Sequence, residues 1–196
     1  MARPYGTVRK VVRERLDRDV WVRAALDVMG ERGVAGLAIE PLARSLGTTK
    51  GSFYWHFRDR EDLIEAALER WENQETDAVI AMLGPLADGA ARLRELLTAI
   101  FLTHADASDH SVGLAADVGH PAVQDVLGRV TRRRIDYVAD QLVAAGIDAE
   151  EAGHRAVLAY TSYLGWSTMM RSAPGALPPR ERTASFVDSV MRLLIS

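Results

Sequence analysis

The chain has 196 residues, 48% of them hydrophobic, enough for a substantial core and for a small module with a larger body behind it. It contains no cysteine, which excludes disulfide frameworks, zinc–thiolate sites and thiol nucleophiles. The net charge of −3 hides an asymmetry: residues 1–60 carry 12 basic and 7 acidic side chains, the remainder 12 and 20. A basic head on an acidic body is the footprint of a nucleic-acid reader joined to a separate domain. No stretch approaches the roughly 20 apolar residues of a membrane span, and no apolar run follows the basic start as a secretory leader requires, so a cytoplasmic location is expected.

Helical periodicity dominates the chain and strand alternation is nearly absent, so the expected class is all-α with about nine helices. Residues 1–16 form a basic arm with Arg3, Arg9, Lys10, Arg13 and Arg15 against a single Glu14. Such an arm suits a narrow minor groove, and it equally suits a solvated leader or a short extra helix. Asp17 reads as the N-cap of a first helix that ends near Gly33, with Val20, Ala24, Ala25 and Val28 on its apolar face. A short second helix is expected over 40–46, with Pro41 in its first turn and Gly47 closing it. Thr49 is expected to cap a third helix over 50–56, and Asp59 a fourth over 60–83 that stops at Gly84-Pro85. Further helices are expected over 89–106, 110–118, 121–145, 148–172 and 180–195, separated by Gly- and Pro-containing breaks.

The stretch from Leu42 to Phe57 is the most informative. Leu42, Ala43 and Leu46 give the second helix an apolar face, and Gly47 permits a sharp reversal. Phe53 and Phe57, four apart, share a face that can lock the third helix onto the first two. Lys50, Gly51, Ser52, Tyr54, Trp55 and His56 then fall toward the outside. A cation, a hydroxyl and aromatics on one short helix suit the DNA major groove and its phosphates. An aromatic core cluster with one satisfied histidine is the competing reading.

From Asp17 to about Leu68 the sequence resembles the TetR family of repressors. The residues carrying this are Gly33, Leu42-Ala43, Leu46-Gly47, Tyr54-Trp55-His56-Phe57 and Arg60-Glu61-Asp62-Leu63, in that order. The resemblance implies a helix-turn-helix DNA-binding domain over 17–63 and a ligand-binding and dimerisation domain over 64–196. It implies a recognition helix over 50–56, with Thr48, Thr49, Lys50, Gly51 and Ser52 near bases or flanking phosphates. Tyr54 and His56 would bind backbone phosphates, Trp55 would touch a sugar, base or phosphate, and Arg60 would clamp a phosphate where the family usually has lysine. Arg13 and Arg15 would add contacts from the arm. Ala38 stands where the family often has Ser or Thr, so a capping hydroxyl is missing there.

The family dimerises through its last two helices, and this chain offers Ala156 and Ala159 on one and Phe186, Val190 and Leu194 on the other; core of the same subunit is the alternative. For a ligand pocket the candidates are Met82, Phe101, His104, Tyr163, Trp166 and Met170, since methionine and aromatics suit an adaptable apolar cavity, or equally a solid core. His104, Asp106, Asp109, His110, Asp117 and His120 match no metal-ligand spacing, so no metal or cofactor is expected, and no catalytic constellation points to an enzyme. The expected function is a homodimeric repressor that leaves a double-stranded operator when a small apolar effector binds. The rival is an architectural or global DNA-binding protein without an effector.

Overall fold

The computed structural model describes residues 17–84, 88–103, 110–117 and 119–196. Ten α-helical segments follow in order: α1 Arg18–Arg32, α2 Ile39–Ser45, α3 Lys50–Phe53, α4 Arg60–Glu72, α5 Ala78–Leu83, α6 Gly89–Thr98, α7 His110–Ala115, α8 Pro121–Ala144, α9 Ala149–Ser172 and α10 Thr183–Ile195. A π-helical stretch, Asn73–Asp77, fuses α4 and α5 into one rod, so nine helices stand among the described residues and no strand does. A second π stretch, Ala99–Thr103, extends α6. The fold class is therefore the expected one, and helix limits fall close to those read from the caps and breakers.

The head forms because three short helices share a single aromatic core. Trp21, Ala25 and Met29 of α1 are fully buried, and the Trp21 ring meets Phe53 edge-on at 5.6 Å. Phe53 stacks on Phe57 at 5.3 Å. Burying an aromatic or large aliphatic side chain of this kind contributes about 1.5–3 kcal/mol. The apolar face of α1 is thus turned from the expected one: Val20, Ala24 and Val28 are only half-buried, because the bulkier Trp21, Leu26 and Met29 take the core. Asp17 precedes α1 without a capping hydrogen bond from its side chain, and Thr49 precedes α3 likewise. Asp59 does cap α4, accepting from the Asp62 N–H at 2.9 Å, while the Asp62 carboxylate accepts from the Arg58 N–H at 3.0 Å. Gly47 takes φ +65° between α2 and α3, a left-handed turn that side-chain-bearing residues resist.

Two apolar cores follow one another along the molecule. The first joins the head to α4, α7 and the first half of α8 through Trp71, Leu114, Val123 and Val130. The second joins α6, α8, α9 and α10 through Leu93, Leu142, Ala156 and Met191. The head is therefore not a bead on a linker. Its α1 lies so close to α7 that a Cβ on Gly113 would run into the Gly30 carbonyl oxygen. That contact, together with the continuous α4–α5 rod, packs the body directly against the head.

Candidate functional site

On the head, Tyr54 and Trp55 are 54% and 72% exposed, high values for aromatic rings, and Tyr54 meets the buried Phe53 edge-on at 5.1 Å. Thr49, Lys50 and Gly51 are exposed beside them, and Thr48, Ser52 and His56 are half-buried. The buried Phe53 and Phe57 hold this display in place from behind. The α-helical part of the reading segment ends at Phe53, earlier than expected; residues 54–56 continue as turns, with the Trp55 and His56 N–H groups donating to the Ser52 and Phe53 carbonyls. Lys50 Nζ donates to Glu40 Oε1 of α2 at 3.0 Å, and that carboxylate holds the lysine pKa above its usual value. Ala38 begins α2 with no side-chain cap, as its methyl group dictates.

Arg60 departs from its expected role. Its Nε donates to the Leu37 carbonyl at 2.8 Å, its Nη2 to the Val34 carbonyl at 2.5 Å and its Nη1 to Glu61 at 2.9 Å. The guanidinium fork is engaged in fastening the loop between α1 and α2 to α4, rather than extended toward a phosphate. A lysine, with one point of attachment, cannot hold two carbonyls in this way. The same loop is fixed from the body side, where Asp117 Oδ2 accepts from the Val34 N–H at 2.6 Å. Arg13 and Arg15 lie outside the described residues.

A cavity of about 200 Å³ opens in the body between the α4–α5 rod, α6, α8 and α9. Of the expected pocket residues, Tyr163 and the largely exposed Met82 line it. Phe101, Trp166 and Met170 do not. The Phe101 ring packs on Trp166 and Phe186 at 4.8 and 5.2 Å, and Trp166 stacks on Phe186 at 4.9 Å, so these aromatics are solid core. Met170 packs against the same cluster. His104 lies outside the described residues.

Most of the lining is aliphatic, from Val79 and Ile80 of α5 and from Leu93, Leu97 and Ile100 of α6 and its π extension. One end is polar. Arg134 of α8 donates from Nε to Thr76 Oγ1 at 3.0 Å and from Nη2 to the Glu75 carbonyl at 2.9 Å, both on the π stretch of the rod. Its Nη1 donates to Ser111 Oγ at 3.0 Å and to the Tyr163 hydroxyl at 3.4 Å. Both π stretches contribute lining residues, and such local over-winding of a helix is frequent at functional sites.

The polar end continues toward the head. The Glu75 carboxylate faces His110 Nδ1 at 2.5 Å, and His110 Nε2 faces Asp27 Oδ1 of α1 at 3.2 Å. Burial alone would lower the His110 pKa; the hydrogen bonds and charges of Glu75 and Asp27 outweigh it, and the net direction is upward. Sequence reasoning passed over Glu75, Arg134 and Asp27 and met His110 only as a poor metal candidate. Among the described residues no group of three potential ligands could hold a metal ion.

The expected dimer residues pack within the protomer. Ala156 and Leu194 are buried in the second core, Ala159 lines the cavity, and Phe186 and Val190 are half-buried against the same core. The reason is that the α10 stripe turns inward onto α6, while α9 packs along α8. What α9 leaves outward is the neighbouring stripe of Leu158, Ser162, Gly165 and Met169.

Residues 22–67, the head and the start of α4, match the family model described as bacterial regulatory proteins, tetR family. The chain is 42% identical over 55 residues to the tetracycline repressor protein class A from transposon 1721 of Escherichia coli, a match spanning 28% of this chain and 26% of that repressor. It is 30% identical over 126 residues to the HTH-type transcriptional regulator BetI of Cronobacter sakazakii, covering 63% of this chain and 62% of BetI. These matches span less than two thirds of the relatives' own length. The whole described fold is similar to that of a cysteine mutant of the TetR family transcriptional regulator CifR, solved with 26-bp operator DNA: TM-score 0.72 at 24% identity, covering 90% of this chain and 96% of that one. The head thus matches the TetR family of bacterial regulatory proteins over residues 22–67, and the described fold is similar to that of a solved TetR-family regulator.

Proposed function

We propose that the protein is a dimeric, sequence-specific DNA-binding transcriptional regulator, a repressor released from its operator by a small, largely apolar effector. The observation that carries the DNA-binding part is the outward display of Tyr54 and Trp55 beside Lys50 and His56 on a rigid aromatic core. A short helix so armed can enter a major groove, with the hydroxyl, indole and imidazole groups gripping its phosphate walls. One head covers only a few base pairs, so useful affinity needs two heads on two half-sites. The exposed α9 stripe around Leu158, Gly165 and Met169 supports a two-fold helical interface, with the last helix beside it. In this reading the function divides at about residue 63, with reading before it and sensing and assembly after it.

The body cavity supports the effector part and disfavours the effector-free rival, which requires a filled body. Coupling from cavity to head has a physical route: the π stretch that lines the cavity holds His110, and His110 holds α1 of the head. An effector acts only if it binds the DNA-incompetent spacing of the heads better than the competent one. Selection of bound sequences from a randomised duplex library tests the function. The expected product is an inverted repeat whose half-sites lie about one helical turn or a multiple of it apart. Absence of any enriched sequence would favour the architectural reading instead.

A further inference from the structure

Arg134 interrupts an apolar stripe. Val130 and Val138, one turn before and after it on α8, are both buried, one in each core. Among the described residues the guanidinium between them is satisfied by neutral partners: the Thr76, Ser111 and Tyr163 hydroxyls and the Glu75 carbonyl. It also lies over the rings of Trp71 and Tyr163, 5.3 and 5.9 Å from their centroids. Among the described residues no carboxylate forms an ion pair with Arg134; that of Glu75 is turned to His110 instead. A partly buried cation without a counter-ion is costly to keep, and this one lines an otherwise aliphatic chamber.

A second observation points the same way. Tyr137, three residues on and therefore on the same side of α8, also lines the chamber. Its hydroxyl is buried and has no hydrogen-bond partner. Burial pushes its pKa up, so the group is a neutral donor. Two donors thus border the apolar space, one charged and one unused.

We infer that the cavity takes a monoanionic amphiphile, with its apolar body among the α5 and α6 side chains and a single carboxylate- or sulfonate-like head on Arg134 and Tyr137. A multiply charged head is disfavoured because Arg134 is the one cation among the described residues that line the chamber, and Glu75 lines it too. In the adjoining outer groove Arg129 and Arg133 pair with Glu72 and Asp77, and Arg132 stands with Asp136 and Asp140. The head group also sets the signal: an anion on Arg134 competes with the Glu75 carbonyl and Thr76 Oγ1 for the same fork, and Glu75 is the residue that holds His110. This inference rests on the ligand-regulated reading above and narrows it to one charge class.

Two fluorescent probes with the same apolar body separate the two levels: 1-anilinonaphthalene-8-sulfonate and the uncharged N-phenyl-1-naphthylamine. The intact protein should bind the sulfonate with a Kd lower by about tenfold or more, at one site per protomer. In Arg134→Gln that preference should fall to near unity, and in Tyr137→Phe, which removes only an unpartnered hydroxyl and should fold normally, it should fall severalfold. Equal affinity for the two probes, or a preference unchanged in both variants, overturns the anionic class while leaving a ligand chamber in place. If Arg134→Gln does not fold, Tyr137→Phe alone decides. Binding of neither probe overturns this inference together with the ligand-regulated reading, and leaves the DNA-binding reading untouched.

Discussion

His110 Nδ1 stands 2.5 Å from the Glu75 carboxylate, joining α7 to the π turn that lines the cavity. The opposite nitrogen reaches Asp27 on the first helix of the head, so one imidazole bridges the cavity wall and the head. The charged form is the one both neighbours favour, and the folded-state pKa is raised above the ordinary 6.5. A raised histidine pKa contributes stability that is fully present below the unfolded-state value and is lost as pH rises through the folded-state value. Urea unfolding of the intact protein and His110→Gln across pH 5.5 to 9 checks this. The stability difference between them should shrink steadily from the acidic to the alkaline side; a difference that is flat or grows with pH would remove the protonated bridge.

Arg60 supports the head rather than gripping DNA from a free position. Arg60→Lys keeps the charge and loses the fork that spans the Val34 and Leu37 carbonyls. The cost should be about 1–2 kcal/mol, seen as a lower melting temperature. Weakened operator binding with an unchanged melting temperature would instead mean that the arginine leaves these carbonyls to meet a phosphate.

Core and cavity predict opposite responses to truncation. Trp166 is stacked on Phe186 and edge-on to Phe101, so Trp166→Ala should cost about 3–5 kcal/mol in thermal unfolding. Met82 stands largely exposed at the cavity, and Met82→Ala should cost under about 0.5 kcal/mol. Similar losses in the two variants would contradict this division of the body.

Self-association should run through the outward stripe of α9. Leu158→Arg puts a charge on a side chain that is 63% exposed in the protomer and should leave its fold intact. Sedimentation should then show monomers, and operator affinity should collapse because both half-sites are needed at once. A variant that remains dimeric would move the interface to another face.

The fold was legible because capping and breaking residues mark nearly every helix end: Asp59 caps α4, Gly47 turns the head, and Pro121 opens α8. The outward display on the head was legible because Phe53 and Phe57 are four apart and take the inward face, leaving Tyr54 and Trp55 largely exposed. The chamber was not, for two physical reasons. Aromatic spacing on α9 is the same for core and for pocket, and only packing shows that Trp166 meets Phe186 while Tyr163 meets Arg134. The π stretches, which bring Glu75 and Thr76 to the chamber, leave no mark in helical periodicity. The one available signal was Arg134 itself, a cation set between Val130 and Val138 on an apolar stripe. The small residues Ala156 and Ala159 pack within the protomer, a role their spacing does not distinguish from an interface because close helix approach serves a subunit's own core equally well.

The most direct test of the account is the affinity of the double variant Tyr54→Phe, Trp55→Ala for the operator selected by the intact protein. Both side chains are largely exposed, and Tyr54→Phe keeps the ring that meets Phe53, so circular dichroism and the melting temperature should stay close to those of the intact protein. Removing a phosphate-gripping hydroxyl and an indole from the reading face should weaken binding by about tenfold or more at fixed salt. Undiminished affinity in a folded, dimeric variant would contradict the claim that this face of the head reads DNA.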